Sequence, residues 1–189
     1  MLKIDTHTHI MPKQLPDWSS KLGYGSFIHL EHHREGAARM MQGDRFFREV
    51  MANCWDPVIR IDEYAKSGVQ VQVVCTIPVL FAYWAKPEDT ADIARFLNDD
   101  LVRTIQDHPK HYVGLATLPM QDVDLSIKEL ERCAKLGFAG IQIGSNINGY
   151  NLSEPRFNDL WAACERLGMA IMIHPWDMMG KEMMTKYWL

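Results

Sequence analysis

Residues 139–176 read AGIQIGSNINGYNLSEPRFNDLWAACERLGMAIMIHPW, and the way this stretch divides decides the fold. An apolar run at 139–147 is followed by a helical pattern near 154–167 that Gly168 stops, and then by a second apolar run at 169–176. Two strands joined through a helix require a crossover, which is right-handed and leaves the strands parallel. Working back toward the N-terminus, the same unit recurs. VQVQVVCTIP (69–78) reads as a strand before a helix near 87–107, and YVGLATLPM (112–120) as a strand before a helix near 122–136 stopped by Gly137. With KIDTHTHI (3–10) and a helix near 57–67, the rhythm amounts to five strands separated by helices, an α/β chain with a parallel sheet.

Two features qualify that sheet. No Gly-x-Gly-x-x-Gly follows the first strand, which argues against a dinucleotide-binding sheet. Residues 14–55 break the rhythm, because a βα unit reaches its helix within a few residues. We read 1–189 as one domain in which 14–55 is a small inserted subdomain, with a strand or two around GSFIHLEHH (25–33) and DRFFREV (44–50).

Bulk composition narrows the partners. The chain has 189 residues, 47% of them hydrophobic and 23% charged, enough apolar content for a sizeable core. A formal charge of −4 gives no general attraction to nucleic acid or to an anionic membrane, so a few placed cations must hold any anion. There is no leader-like segment and no apolar run long enough to span a bilayer. The four cysteines, Cys54, Cys75, Cys133 and Cys164, are too widely spaced for a zinc ribbon or a Cys-x-x-Cys pair. The expectation is a cytoplasmic protein with free, packed thiols.

The chemistry centres on histidine. In a strand, residues two apart face the same way with Cα atoms about 6.6 Å apart, so His7 and His9 can reach one ion. His174, just before Pro175, closes the fifth predicted strand and stands at the same carboxyl end of the sheet. Where parallel strands close into a barrel these ends converge on one mouth, and three imidazoles there suit Zn²⁺ or another borderline metal. A lone His-x-His is weak evidence, since alternate strand positions often carry two polar rings without an ion. The combination with Asp5, the strand setting and the late His-Pro favours a metal. His29, His32 and His33 in the insert, and His108 and His111 around a helix-to-strand loop, read as surface residues.

Longer strings carry a family likeness. DTHTHIMP (5–12), FFREVMANCWDP (46–57), PVLFAYWAKPEDT (78–90), TLPMQD (117–122), GIQIGSNING (140–149) and HPWDMMGKEMMTKYWL (174–189) resemble the amidohydrolase superfamily, specifically its branch of metal-dependent decarboxylases. The resemblance implies a (β/α)₈ TIM barrel of which this chain holds strands one to five. It implies one Zn²⁺ held by His7, His9 and His174, with an aspartate as fourth ligand and an acid/base histidine both expected beyond Leu189. It also implies a carboxy-lyase that acts on a small anionic dicarboxylate semialdehyde without an oxidant or organic cofactor, in a homodimer. Two-metal members of the superfamily carry a carboxylated lysine on the fourth strand, and GIQIGSN (140–146) has none, which favours a single ion.

Within that likeness, Arg48 matches an arginine whose planar fork suits a carboxylate. Trp188 matches a tryptophan that walls the pocket, with Met178 and Phe47 as apolar neighbours, and Trp176 and Asp177 are expected to orient His174. Five strands of such a barrel leave two unpaired edges, so the sequence is expected to be part of a chain of about 250 residues or more, and inactive if taken alone. Two alternatives stand beside the decarboxylase: a hydrolase or hydratase of the same superfamily, and a non-catalytic domain that binds metal or a partner.

Overall fold

The computed structural model describes residues 1–178. In chain order its elements are β1 (Ile4–His9), α1 (Trp18–Leu22), β2 (Ile28–Arg34), β3 (Ala37–Gln42), β4 (Arg45–Met51), α2 (Pro57–Ala65), β5 (Val71–Cys75), α3 (Pro87–Asp107), β6 (Tyr112–Ala116), α4 (Val123–Leu136), β7 (Gly140–Gly144), β8 (Asn146–Ile147), β9 (Tyr150–Asn151), α5 (Asn158–Leu167) and β10 (Ala170–His174). The main sheet has the order β1-β5-β6-β7-β10, every pair parallel. Its five strands are the five read from the sequence.

Local chemistry sets the helix ends. Pro87 opens α3 with Glu88 and Asp89 in the first turn, where the exposed N–H groups favour negative charge. Asp122 caps α4 by accepting from Leu125 N at 2.8 Å, and Asp56 caps α2 by accepting from Val58 N and Ile59 N. Gly137 and Gly168 take the left-handed conformation that ends α4 and α5. The fifth helix starts later than its sequence pattern suggests, because Pro155–Phe157 form a separate 3₁₀ turn before it.

The helices cover one face of the sheet. Ala116, Ile141 and Ile143 share a core with Leu101 of α3, Leu130 of α4 and Leu160 of α5. A buried polar latch ties α3 to α4: Asn98 donates to Glu129 at 2.7 Å, and Arg132 donates to both Glu129 and Asp99. No helix among the described residues is long and apolar enough to cross a membrane.

Between β1 and α2 the chain builds an antiparallel sheet, β2-β3-β4, one strand more than the sequence pattern indicates. β3 reads AARMMQ, a helix-forming composition, and hairpin geometry overrides it. Two-residue turns at Glu35-Gly36 and Gly43-Asp44, each with its glycine at positive φ, fold β3 back against both neighbours. Ala38, Met40 and Val50 of this sheet share a second core with Trp55, Leu80 and Ile93, which seats the insert on the loop after β5 and on α3.

The contact between β7 and β10 leaves no room for a side chain at Gly140, where an added Cβ would collide with the Ala170 carbonyl. Gly140→Ala is expected to cost about 1–3 kcal/mol, the usual range for overpacking, read as a lowered midpoint in urea unfolding.

Candidate metal centre

β1 and β10 are the two edges of the main sheet, four strand spacings apart. At about 4.8 Å per spacing, a flat sheet would hold them roughly 19 Å apart. The His174 ring nevertheless lies 5.1 Å from that of His7 and 5.3 Å from that of His9, and His7 and His9 are 4.8 Å apart. The sheet is therefore curled, and its carboxyl ends point into one mouth. One ligand atom from each ring lies within 4.8 Å of the others, and among the described residues no other group of three potential ligands is so placed.

β1 is not a regular strand. Asp5 pairs with Gln72 and Thr8 with Val74, so three steps on β1 match two on β5, and the irregularity falls in the segment that holds Thr6 and His7. Bulges beside functional sites re-aim side chains. Backbone His7 N donates to Asp5 Oδ1 at 3.2 Å within the irregular segment.

Hydrogen bonds select the ring tautomers. His9 Nδ1 lies 3.0 Å from the Thr76 carbonyl and His174 Nδ1 lies 2.7 Å from the Pro175 carbonyl. A carbonyl only accepts, so both Nδ1 atoms carry hydrogen and both Nε2 lone pairs are left for a ligand. Burial, followed by the neighbouring His7 and His174, pulls the His9 pKa down to about 4, against an opposing pull from the Thr76 carbonyl. His7 is lowered as well, by the cover of its neighbours and then by His174, with Asp5 pulling the other way. Metal binding needs neutral imidazole, and the surroundings of His7 and His9 favour that form. Three converging nitrogens with no carboxylate among them suit a borderline ion such as Zn²⁺, so the residues present fit the metal implied by the family likeness.

The other site residues fall into three groups. Arg48 and Phe47 lie on β4 and are exposed. Arg48 pairs with buried Met40 and shares its strand face with Val50, the side turned to the body of the protein, and its guanidinium sits 5.4 Å from the Phe47 ring. No hydrogen bond or ion pair among the described residues occupies that guanidinium. Met178 is half-buried, with its sulfur 3.2 Å from Ser145 Oγ. Trp188 lies outside the described residues. Away from the mouth, His33 approaches Glu49, His32 approaches the Lys13 carbonyl and His111 approaches the Gln70 carbonyl. The four cysteines are free, and Cys75, beside His9, is pushed up to about 12 by burial.

Sequence reasoning missed Thr76, which sets the His9 ring. Thr76 acts through its backbone carbonyl, for which any side chain would serve, so no residue-type signal marks it.

Residues 4–185 match the family described as Amidohydrolase. The chain is 50% identical over all 189 of its residues to the 2-amino-3-carboxymuconate-6-semialdehyde decarboxylase of Dictyostelium discoideum, covering 53% of that protein. It is 34% identical to the protein of the same name from Caenorhabditis elegans, over 99% of this chain and 59% of the relative. The chain thus spans between half and three-fifths of the length of these curated relatives. Among solved structures, a dihydroxybenzoic acid decarboxylase from Polaromonas with bound manganese superimposes with a TM-score of 0.71 at 19% identity, over 100% of this chain and 54% of that one. The fold is accordingly that of an amidohydrolase-type (β/α)₈ barrel, with five of its strands in this chain.

In a Zn²⁺ or Co²⁺ titration, His7→Ala, His9→Ala and His174→Ala are each expected to weaken binding by more than about 100-fold, beyond the loss typical of a mere supporting partner. Without metal, a histidine in the unfolded chain takes up a proton near pH 6.5, whereas His9 resists until about 4. The unfolded state then binds more protons across that window, so the contribution of neutral His9 is complete above it and is lost as pH falls through it. Urea unfolding of metal-free protein at several pH values, with His9→Asn as control, should show a shallower pH slope in the variant.

Proposed function

The chain belongs to the amidohydrolase family, and on that footing we propose that it carries the metal-binding part of a non-oxidative decarboxylase acting on 2-amino-3-carboxymuconate 6-semialdehyde. The convergence of His7, His9 and His174 at one mouth is the observation that carries the reading. The names of the two relatives aligned along nearly the whole chain supply the substrate. Zn²⁺ is the ion we assign to the three nitrogens, and a homodimer is the assembly that the family likeness supports.

Decarboxylation breaks one C–CO₂ bond, leaves its electron pair in the conjugated system of the substrate, and replaces CO₂ with a proton at the same carbon. An ion held by the three histidines would supply Lewis-acid polarisation of an oxygen at the mouth. The chain's own residues do the rest of the work assigned here. His9 and His174 are locked by the Thr76 and Pro175 carbonyls, so neither ring has to reorient. Arg48, uncompensated on the body-facing side of β4, offers paired N–H donors to a substrate carboxylate. Phe47 stacks beneath that guanidinium and limits its rotamers.

The test uses the longest form of the protein that its gene encodes. Freshly generated semialdehyde should lose its absorbance in the presence of the enzyme and persist when a chelator is added. Arg48→Ala is expected to lower kcat/KM about 10- to 100-fold, the effect of losing a charge-assisted pair worth about 1.5–3 kcal/mol. Decay indifferent to both chelator and Arg48 would remove the proposal, and turnover of a lactone in its place would favour a hydrolase.

A further inference from the structure

The loop that leaves β7 grips the turn that leaves β10. Gly144 and His174 are register partners, and their chains continue side by side beyond the sheet. An added Cβ on Gly144 would sit 2.9 Å from Trp176 Cδ1, so the absence of a side chain there lets Trp176 lie against β7. The indole also meets Phe81 and Tyr83 edge-on, and the Tyr83 hydroxyl accepts from Gly144 N at 3.2 Å.

Ser145 is the point of closest control. Its Oγ accepts from Trp176 N at 3.0 Å and donates to the Trp176 carbonyl at 2.9 Å. Trp176 N belongs to the same peptide plane as the Pro175 carbonyl, the group that accepts from His174 Nδ1. A peptide unit is rigid, and no cis bond occurs among the described residues, so its N–H and C=O point in opposite directions. Ser145 thus holds one end of a stiff lever whose other end sets the His174 ring. Asn146 braces the next two peptides, donating from Nδ2 to the Trp176 carbonyl at 2.8 Å and to the Asp177 carbonyl at 3.2 Å. Its Oδ1 accepts from Gly149 N, which fixes the amide orientation.

We propose that Ser145 is a positioning residue for the third metal ligand, acting through the Pro175–Trp176 peptide to aim His174 Nε2 at the ion, with Asn146 as its brace. The inference rests on the metal reading above. Supporting groups around metal-bound histidines typically change affinity by 10- to 100-fold, and a one-peptide lever belongs in that class.

The experiment compares wild type, Ser145→Ala, Ser145→Thr, Asn146→Asp and His174→Ala by Zn²⁺ competition and by the visible absorption of bound Co²⁺, with thermal melting of each metal-free protein. Ser145→Ala is expected to lose about 10- to 100-fold in affinity and to shift the Co²⁺ bands, while Ser145→Thr, which keeps the hydroxyl, restores both. Asn146→Asp keeps the acceptor for Gly149 N and loses both donors, so it should weaken binding in the same direction and decides the matter if Ser145→Ala does not fold. Wild-type affinity and spectrum in Ser145→Ala, or a loss that Ser145→Thr fails to recover, would overturn the proposal. If wild type takes up no Co²⁺, or His174→Ala binds as well as wild type, the metal reading fails first. If His174→Ala alone loses the ion, only the positioning role falls.

Discussion

The curl of the main sheet is the constraint on which everything else depends. β1 and β10 are its opposite edges, yet their histidine rings meet at about 5 Å, a distance that a flat five-stranded sheet could not produce. Strand twist and tilt supply the curvature, and the helix layer maintains it by packing α3, α4 and α5 against the convex face. The apolar positions of β6 and β7 that face this layer are therefore part of the chemistry, although none lies in the mouth. Close strand approach at Gly140 belongs to the same requirement.

At the mouth, burial and mutual repulsion act together. Burial together with the neighbouring imidazoles lowers His7, and His9, the most enclosed, is held neutral far below its usual range. A cluster that resists protons in this way keeps its lone pairs free for a cation. The carbonyls of Thr76 and Pro175 then choose which nitrogen faces inward. The β2-β3-β4 sheet is seated on the loop after β5 and on α3 by its own small core, with Arg48 midway along β4.

Much of this was legible in the residues. The alternation of apolar runs with capped helical segments identified all five parallel strands, because periodicity and capping are local properties. His7, His9 and His174 were legible as one group because strand carboxyl ends share a mouth and each of the three sits at one. β3 was not, since AARMMQ favours a helix and only pairing on both sides makes it a strand; the glycines at its two turns were the available signal. Regular strand geometry also hid the irregularity between Asp5 and Thr8, which depends on how β5 lies beside β1. Ser145 was visible as a polar residue after a strand, but nothing in its neighbours linked it to a peptide 31 residues away.

The sequence by itself determined the alternation of elements, the glycine stops of α4 and α5, the parallel sheet and the identity of three candidate ligands. These follow from spacing and residue type over short distances. Tertiary structure alone decided how far the sheet curls, which nitrogen His9 presents, how strongly His9 resists a proton, and how the loop after β7 grips the turn after His174. Each of these is set by contacts between segments distant in the chain, where the energies depend on distance and burial that no local pattern encodes.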